Sequence, residues 1–334
     1  MPDPQSPLVA IVALPDCLGS AVLGMLDAIN LANAFHLFSG KDGRQIEARV
    51  VSQAGAQIDA FGGRRLECDA VIDDLTAVDA IVVAPVVADI NAVLTAAGAT
   101  IDWLARRWEQ GSTLTGVCTG TVLLAEAGIL DNRLATTNPG LTGLFADRYP
   151  NVRLDPTLRL ADEGRLITAG ATTSSFDLVV ELIGRFLGPE TAIRTATEML
   201  TDPNPQSQKP YMLARPRAGH SDQDVHSVQV RIERDFGRQL DADSLARDAA
   251  MSPRTLARRF RHATGESLQE YLRNTRIEAA MRRLAATEDS VSTITEECGY
   301  VDVRSFRRTF REFTGLSPRE YRARFSYARR SWGG

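Results

Sequence analysis

Cysteine and histidine are scarce, with four of each in 334 residues. Cys17, Cys68, Cys118 and Cys298 stand far apart with no CxxC pair, which argues against a disulfide framework and against a zinc site. No metal or cofactor is expected. Long apolar runs are missing too: no uncharged apolar stretch approaches the ~18 residues needed to span a bilayer. The run Leu8 to Leu14 is strand-sized and is preceded by Asp3 with no basic residue, unlike a secretory signal. These absences imply a cytoplasmic protein without a membrane partner. What is present, 44% hydrophobic and 24% charged residues, is the composition of a soluble globular chain. It is too long for one ordinary core, so two or three domains are expected.

A net charge of −4 argues at first against nucleic-acid binding, but the charge is unevenly spread. From Ser221 onward there are 21 arginines, no lysine and 17 acids, a net of +4, whereas residues 1–220 carry −8. Between the halves lies Thr201 to His220, proline-rich with little apolar periodicity, which reads as a semi-rigid linker. An acidic body joined to an arginine-rich domain is an arrangement to test for nucleic-acid interaction.

The basic half is an internal repeat. Ser252 to Arg273 lies over Asp302 to Ala323 at an offset of fifty, and nine of twenty-two positions are identical. In the first copy Asp243-Ser244 is expected to open a short helix, Met251-Ser252 to turn, and Pro253 to start a second helix stopped by Gly265. Leu256 and Phe260 point inward at helical spacing, leaving Arg254, Arg258 and Arg261 outward, with Thr255 beside them. In the second copy Phe306 and Phe310 point inward, and Arg304, Arg307, Arg308 and Arg311 outward, with Ser305 beside them. A short helix, a tight turn and an arginine-rich second helix is the arrangement that lays a helix in the DNA major groove. Ser267 to Ala286 reads as one helix of roughly 30 Å at ~1.5 Å per residue. That is close to the ~34 Å between successive major grooves on one face of B-DNA.

The repeat resembles the AraC/XylS-type DNA-binding domain over about Val225 to Phe325. The residues that carry the likeness are Gly299-Tyr300, Ser305-Phe306, Phe310, Thr314-Gly315, Ser317-Pro318 and Tyr321-Arg322. The resemblance implies a regulator that binds double-stranded operator DNA through two adjacent major grooves per chain. It also implies contact with RNA polymerase, activation more often than repression, and a homodimer.

The acidic half alternates strand-like and helix-like segments. Strands are expected at Leu8 to Leu14, Ile46 to Ser52, Ala80 to Ala84 and Thr113 to Val117, and helices at Ser20 to Leu37, Asn91 to Glu109 and Thr119 to Ala127. This order implies an α/β, doubly wound, mostly parallel sheet. Gly116-Val117-Cys118-Thr119-Gly120 has the form of a nucleophile elbow, with a following helix whose N-terminus would favour the thiolate. Trp103 and Trp108 read as core or dimer-face residues rather than as a surface that holds a cation.

Gly116 to Asn138 resembles the cysteine elbow of the class I glutamine-amidotransferase-like superfamily that includes PfpI-type peptidases, in the branch fused ahead of an AraC-type domain. The resemblance implies a flavodoxin-like, amidotransferase-like domain over 1–200, a linker over 201–223, an all-α double helix-turn-helix domain over 224–326 and a tail over 327–334. Catalytic relatives place a histidine where this chain has Asn138. Relatives with an acid near the cysteine carry it where this chain has Gly19, Ser20 and Ala21, and their Gly-Gly donor loop is replaced by Ala84-Pro85-Val86-Val87. A thiol without base, acid or donors is a poor nucleophile. The expectation is therefore no enzyme, and an effector pocket near Cys17, Cys118, Thr119 and Asn138. Three other readings of the same residues are a cysteine-dependent hydrolase or deglycase fused to a DNA-binding domain, a thiol redox sensor, and a Cys118 that is only a buried structural thiol.

Overall fold

The structure, a computed structural model, describes residues 6–40, 43–53, 55–202, 207–212 and 220–326. The chain divides into two compact units, Met1–Gln208 and Lys209–Gly334. Residues 203–206 and 213–219 of the expected linker, and the expected tail 327–334, lie outside the described residues. What is described of that linker is not all connector. Gln208 is buried in the first unit, where its amide donates to the carbonyls of Thr137 at 2.9 Å and Pro156 at 2.8 Å. Its oxygen accepts from the Ala171 N–H at 3.2 Å. A buried amide this fully bonded is part of a core, so the first unit runs beyond residue 200.

In chain order the first unit comprises β1 (Leu8–Val12), α1 (Gly19–Phe38), β2 (Glu47–Ser52), β3 (Gln57–Ala60), β4 (Arg64–Glu67), β5 (Ala70–Val71), β6 (Ala80–Val83), α2 (Ile90–Ala96), α3 (Gly98–Glu109), β7 (Thr113–Val117), α4 (Gly120–Glu126), β8 (Leu134–Ala135), α5 (Thr142–Arg148), β9 (Arg153–Leu154), β10 (Leu160–Asp162), β11 (Leu166–Ala169), α6 (Ser174–Leu187) and α7 (Pro189–Glu198). Seven strands form one sheet in the order β10-β11-β7-β6-β1-β2-β5. All its pairings are parallel except that of β10 with β11 at the edge. The central strands β1 and β6 are continuous apolar runs with almost no exposed surface, as strands covered on both faces must be.

One expected helix is unusually apolar, and one segment differs from expectation. Helix α1 has one charged residue, Asp27, and by length and composition it is apolar enough to cross a membrane. Here it buries Ala21, Val22, Met25, Ala28, Ile29 and Ala32 in the core of the first unit. The single helix expected over Asn91 to Glu109 is two helices, broken at Ala97-Gly98. The break is held by a side chain from far along the sequence. The Gln53 amide donates to the Ala96 carbonyl at the end of α2 (3.1 Å), and its oxygen accepts from the Thr100 N–H (3.2 Å) and hydroxyl (3.0 Å) at the start of α3. The orphan groups that a helix break leaves are thereby paired.

The second unit contains α8 (Gln223–Asp235), α9 (Ala242–Asp248), α10 (Pro253–Thr264), α11 (Leu268–Ala286), α12 (Val291–Glu297), α13 (Val303–Thr314) and α14 (Pro318–Phe325). Helix α9 starts one residue before the expected Asp243, because the Asp241 carboxylate takes the cap by accepting the Ser244 N–H at 2.6 Å. Helix α10 is capped by Ser252 and α13 by Asp302, and they end at Gly265 (φ 74°) and Gly315 (φ 76°). Ser267 with Glu270 and Ser317 with Glu320 form capping boxes at the starts of α11 and α14.

The offset of fifty holds between α10 and α13, but α9 and α12 are forty-nine apart, so the second turn is one residue longer. Each turn needs one left-handed residue. In the second it is Gly299 (φ 77°), whereas in the first it is Ala250 (φ 52°), a side chain in a conformation that penalises Cβ. Ala250→Gly is expected to stabilise the isolated-chain unfolding transition by about 0.5–1 kcal/mol, the left-handed penalty less the glycine's chain entropy. Gly299→Ala is expected to be strongly destabilising, since a Cβ there would sit 2.9 Å from the Phe236 carbonyl oxygen. Urea denaturation of both variants measures the contrast.

Candidate nucleic-acid interface and effector pocket

The reading helices α10 and α13 bury Leu256, Phe260, Phe306 and Phe310 completely. Helical spacing then forces Arg254, Arg258, Arg261, Arg304, Arg307, Arg308 and Arg311 outward, and all seven are exposed. Among the described residues only Arg308 has an ion-pair partner, Glu312 at 4.0 Å. Other arginines of this unit are bound to protein. Arg259 is held by Asp222 (2.6 Å) and Asp224 (3.0 Å), and its hydrogen bond keeps the Asp222 carboxyl below the usual range. Arg276 donates to the carbonyls of Phe236 and Arg238, both at 2.9 Å. The seven guanidiniums on these two helices are instead turned to solvent. Thr255 is half-buried with its hydroxyl 2.9 Å from that of Ser252, so it belongs to the helix cap as much as to the surface. Ser305 is half-buried, its N–H donated to Asp302 at 2.7 Å.

In the first unit the elbow is present. Cys118 joins β7 to α4 with φ 54°, a strained value held by its N–H to Ala169 (3.0 Å) and its carbonyl, which accepts from the Thr137 hydroxyl (2.6 Å). The flanking glycines are needed for closeness. A Cβ at Gly116 would sit 2.9 Å from Thr121 Cα, and one at Gly120 would collide with the Val83 carbonyl. Cys118, however, is buried, with 8% of the residue exposed, and burial raises its pKa against weaker hydrogen bonds from Thr119 and Asn138. The expected helix-terminus effect does not prevail, and the thiol form is favoured.

The four expected pocket residues converge only in part. Cys17 is fully buried, its thiol pushed up to about 11 chiefly by burial, and its backbone bridges to Val86. The Thr119 hydroxyl accepts from the Val86 N–H (2.6 Å) and donates to the Val86 carbonyl (2.9 Å). Val86 therefore ties the first-strand loop to the elbow, sealing Cys17 and occupying Thr119. Asn138 is half-buried, bonds the Cys118 thiol, and its oxygen caps the next turn by accepting the Gly140 N–H at 2.8 Å. Trp103 is core, and Trp108 is stacked by the chain's own Arg165 (4.3 Å) and Arg133 (5.1 Å).

Two family models match: the DJ-1/PfpI family over residues 25–185 and a helix-turn-helix domain over 245–324. The chain is 28% identical over 309 residues to the HTH-type transcriptional regulator CdhR of Pseudomonas aeruginosa, covering 91% of this chain and 89% of that one. It is 27% identical to the regulator GbdR of the same species, covering 92% and 84%, and 27% identical to GlxA of Rhizobium meliloti, covering 69% and 74%. A transcriptional regulator from Vibrio parahaemolyticus matches 59% of this chain and all of its own at a TM-score of 0.53 and 17% identity. Drosophila melanogaster DJ-1beta matches 59% and 99% at 0.51 and 15%. The chain thus carries a DJ-1/PfpI domain ahead of an AraC-type helix-turn-helix domain, and these relatives are named HTH-type transcriptional regulators.

One feature of this regulator's first domain was not expected from the sequence. A cavity of about 430 Å³ is lined by Ala13, Leu14, Pro15, Asp16, Gln53 and Ile58 on one side and by α2 and its flanks on the other. None of Cys17, Cys118, Thr119 and Asn138 lines it. No local pattern announces a cavity formed by a helix break that a remote glutamine holds.

The burial of Cys118 sets a measurable outcome. Iodoacetamide should alkylate it in the folded chain at about pH 7.5 at least tenfold more slowly than in urea, because only the thiolate reacts. Peptide mapping of the alkylated protein follows Cys118 separately from the other thiols.

Proposed function

We propose that this chain is a ligand-responsive transcription regulator working in the cytoplasm. Its second unit reads operator DNA, and its first unit is a sensor that performs no chemistry. The observation that carries the reading is the pair of reading helices with seven exposed arginines, six of them without an ion-pair partner among the described residues. Each bidentate contact of Arg with guanine contributes ~1–3 kcal/mol of discrimination, and phosphate contacts add salt-dependent affinity. The chain acts as a homodimer and contacts RNA polymerase, most simply as an activator.

The non-catalytic reading of the sensor rests on how its elbow is used. The loop that would supply donors for an oxyanion has its N–H groups engaged, Val86 with the Thr119 hydroxyl and Val87 with the Asp16 carbonyl at 2.9 Å. Asn138 cannot take a proton from Cys118, and His36 bonds Thr191 at 3.1 Å. The effector is held beyond the carboxyl ends of the parallel strands.

Arg304→Ala and Arg308→Ala should each weaken operator binding at least tenfold at a fixed salt concentration, with unfolding midpoints unchanged within ~0.5 kcal/mol. Gel shift across a salt series is the measurement, and wild-type affinity in both variants would overturn the assignment. A metabolite library screened by thermal shift on the full chain tests the sensor. A true effector raises the melting temperature and also changes operator affinity.

A further inference from the structure

We propose that Gln208 and Tyr211 are positioning residues that couple the cysteine elbow of the first unit to the second reading helix, α13. This names a regulation within the regulator reading above and rests on that reading. Two residues of one short stretch are anchored in different units. Gln208 ends the first unit, and the helical turn Lys209–Tyr211 begins the second. Only Lys209 and Pro210 stand between the anchors. Proline fixes its own φ, so a link this short has little slack with which to absorb a displacement.

The first anchor reaches the elbow by two routes. The Thr137 carbonyl accepts from the Gln208 amide at 2.9 Å, and its hydroxyl donates to the Cys118 carbonyl at 2.6 Å. On the other route the Ala171 N–H donates to the Gln208 oxygen at 3.2 Å, and Ala169, two residues earlier, accepts the Cys118 N–H at 3.0 Å. Both backbone polar groups of Cys118, whose φ of 54° is strained, therefore lead to the same glutamine. Gly170 is fitted to that glutamine, since a Cβ there would collide with its amide. The Gln208 N–H also donates to the Thr157 carbonyl at 2.9 Å, which fixes the main chain as well as the side chain.

The second anchor reaches α13 through a run of aromatic rings. The Tyr211 ring meets Phe325 edge-on at 5.3 Å, and its hydroxyl accepts from Arg324 at 2.6 Å. Phe325 packs on Tyr321 at 4.5 Å, Tyr321 on Phe310 at 5.5 Å, and Phe310 on Phe306 at 5.5 Å. Phe306 and Phe310 are the buried face of α13, opposite its exposed arginines. The turn Lys209–Tyr211 also packs against α13 itself. Chain order places the first reading head after the linker, yet the rings tie the linker to the second. Close-packed rings pass a displacement on rather than yielding to it. A change in the strained backbone of Cys118 therefore biases α13, and DNA held by α13 acts back on the elbow with the same coupling.

The test uses the full chain and a DNA duplex that the chain itself selects from a random pool. Hydrogen exchange read by mass spectrometry should show the peptides holding Cys118 and Ala171 exchanging at least about threefold more slowly with the duplex bound. Inserting an alternating Gly-Ser segment of about four residues between Lys209 and Pro210 leaves both anchors in place, and should remove that slowing while the duplex still binds. Tyr211→Ala, at an exposed ring, should remove it too, and Tyr211→Phe should retain it. A double-mutant cycle locates the effect on one head. The loss of duplex affinity from Tyr211→Ala, at least about threefold, should vanish in an Arg308→Ala background and persist in an Arg258→Ala background. The proposal is overturned if the bound duplex leaves both peptides unchanged, if the insertion keeps the slowing, or if the two arginine backgrounds respond alike. A chain that selects no duplex overturns the regulator reading and the coupling with it, whereas duplex binding without slowing at the elbow removes only the coupling.

Discussion

The second unit depends on a single helix shared between two cores. The first half of α11 contributes Leu268 and Tyr271 to a cluster with Val225, Val228, Ile232, Leu245, Leu256 and Phe260. Its second half contributes Ile277, Ala280, Met281 and Leu284 to a cluster with Ile294, Phe306, Phe310 and Tyr321. Each reading helix is therefore packed against its own end of one rigid rod. Arg276 adds a stitch between the cores, reaching from the middle of the rod to the end of α8. The separation and relative rotation of α10 and α13 follow from residue count, since each residue of the rod adds ~1.5 Å and ~100°.

In the first unit the governing constraint is backbone closeness at the elbow. Gly116 and Gly120 let α4 fold back against β6 and β7, which brings the Thr119 hydroxyl to Val86. That contact is a structural joint: the Thr119 hydroxyl bonds both the N–H and the carbonyl of Val86. Sharing the DJ-1/PfpI fold places the cysteine at the turn after β7, where burial favours its thiol form.

Much of this was legible in the sequence, and the reason is locality. Apolar runs of strand length revealed β1, β2, β6 and β7, and the Gly-x-Cys-x-Gly spacing revealed the elbow. The fifty-residue repeat revealed both reading helices, because inward Leu256, Phe260, Phe306 and Phe310 fix which arginines face out. The failures share the opposite character. The break between α2 and α3 is stabilised by Gln53, more than forty residues away, and Gln208 enters the core from a stretch whose prolines suggested a semi-rigid linker. Cys17 and Thr119 were rightly placed near the elbow, but their atoms serve the joint at Val86.

The unequal copies of the repeat have a consequence for the DNA they meet. Ala257 stands where Arg307 does, clamped Arg259 stands where Thr309 does, and the turns differ by one residue. Two unlike heads in a fixed sequence on one rod cannot see the same thing when the duplex is turned end for end. A single chain therefore has a front and a back on its site, and its orientation alone could tell upstream from downstream.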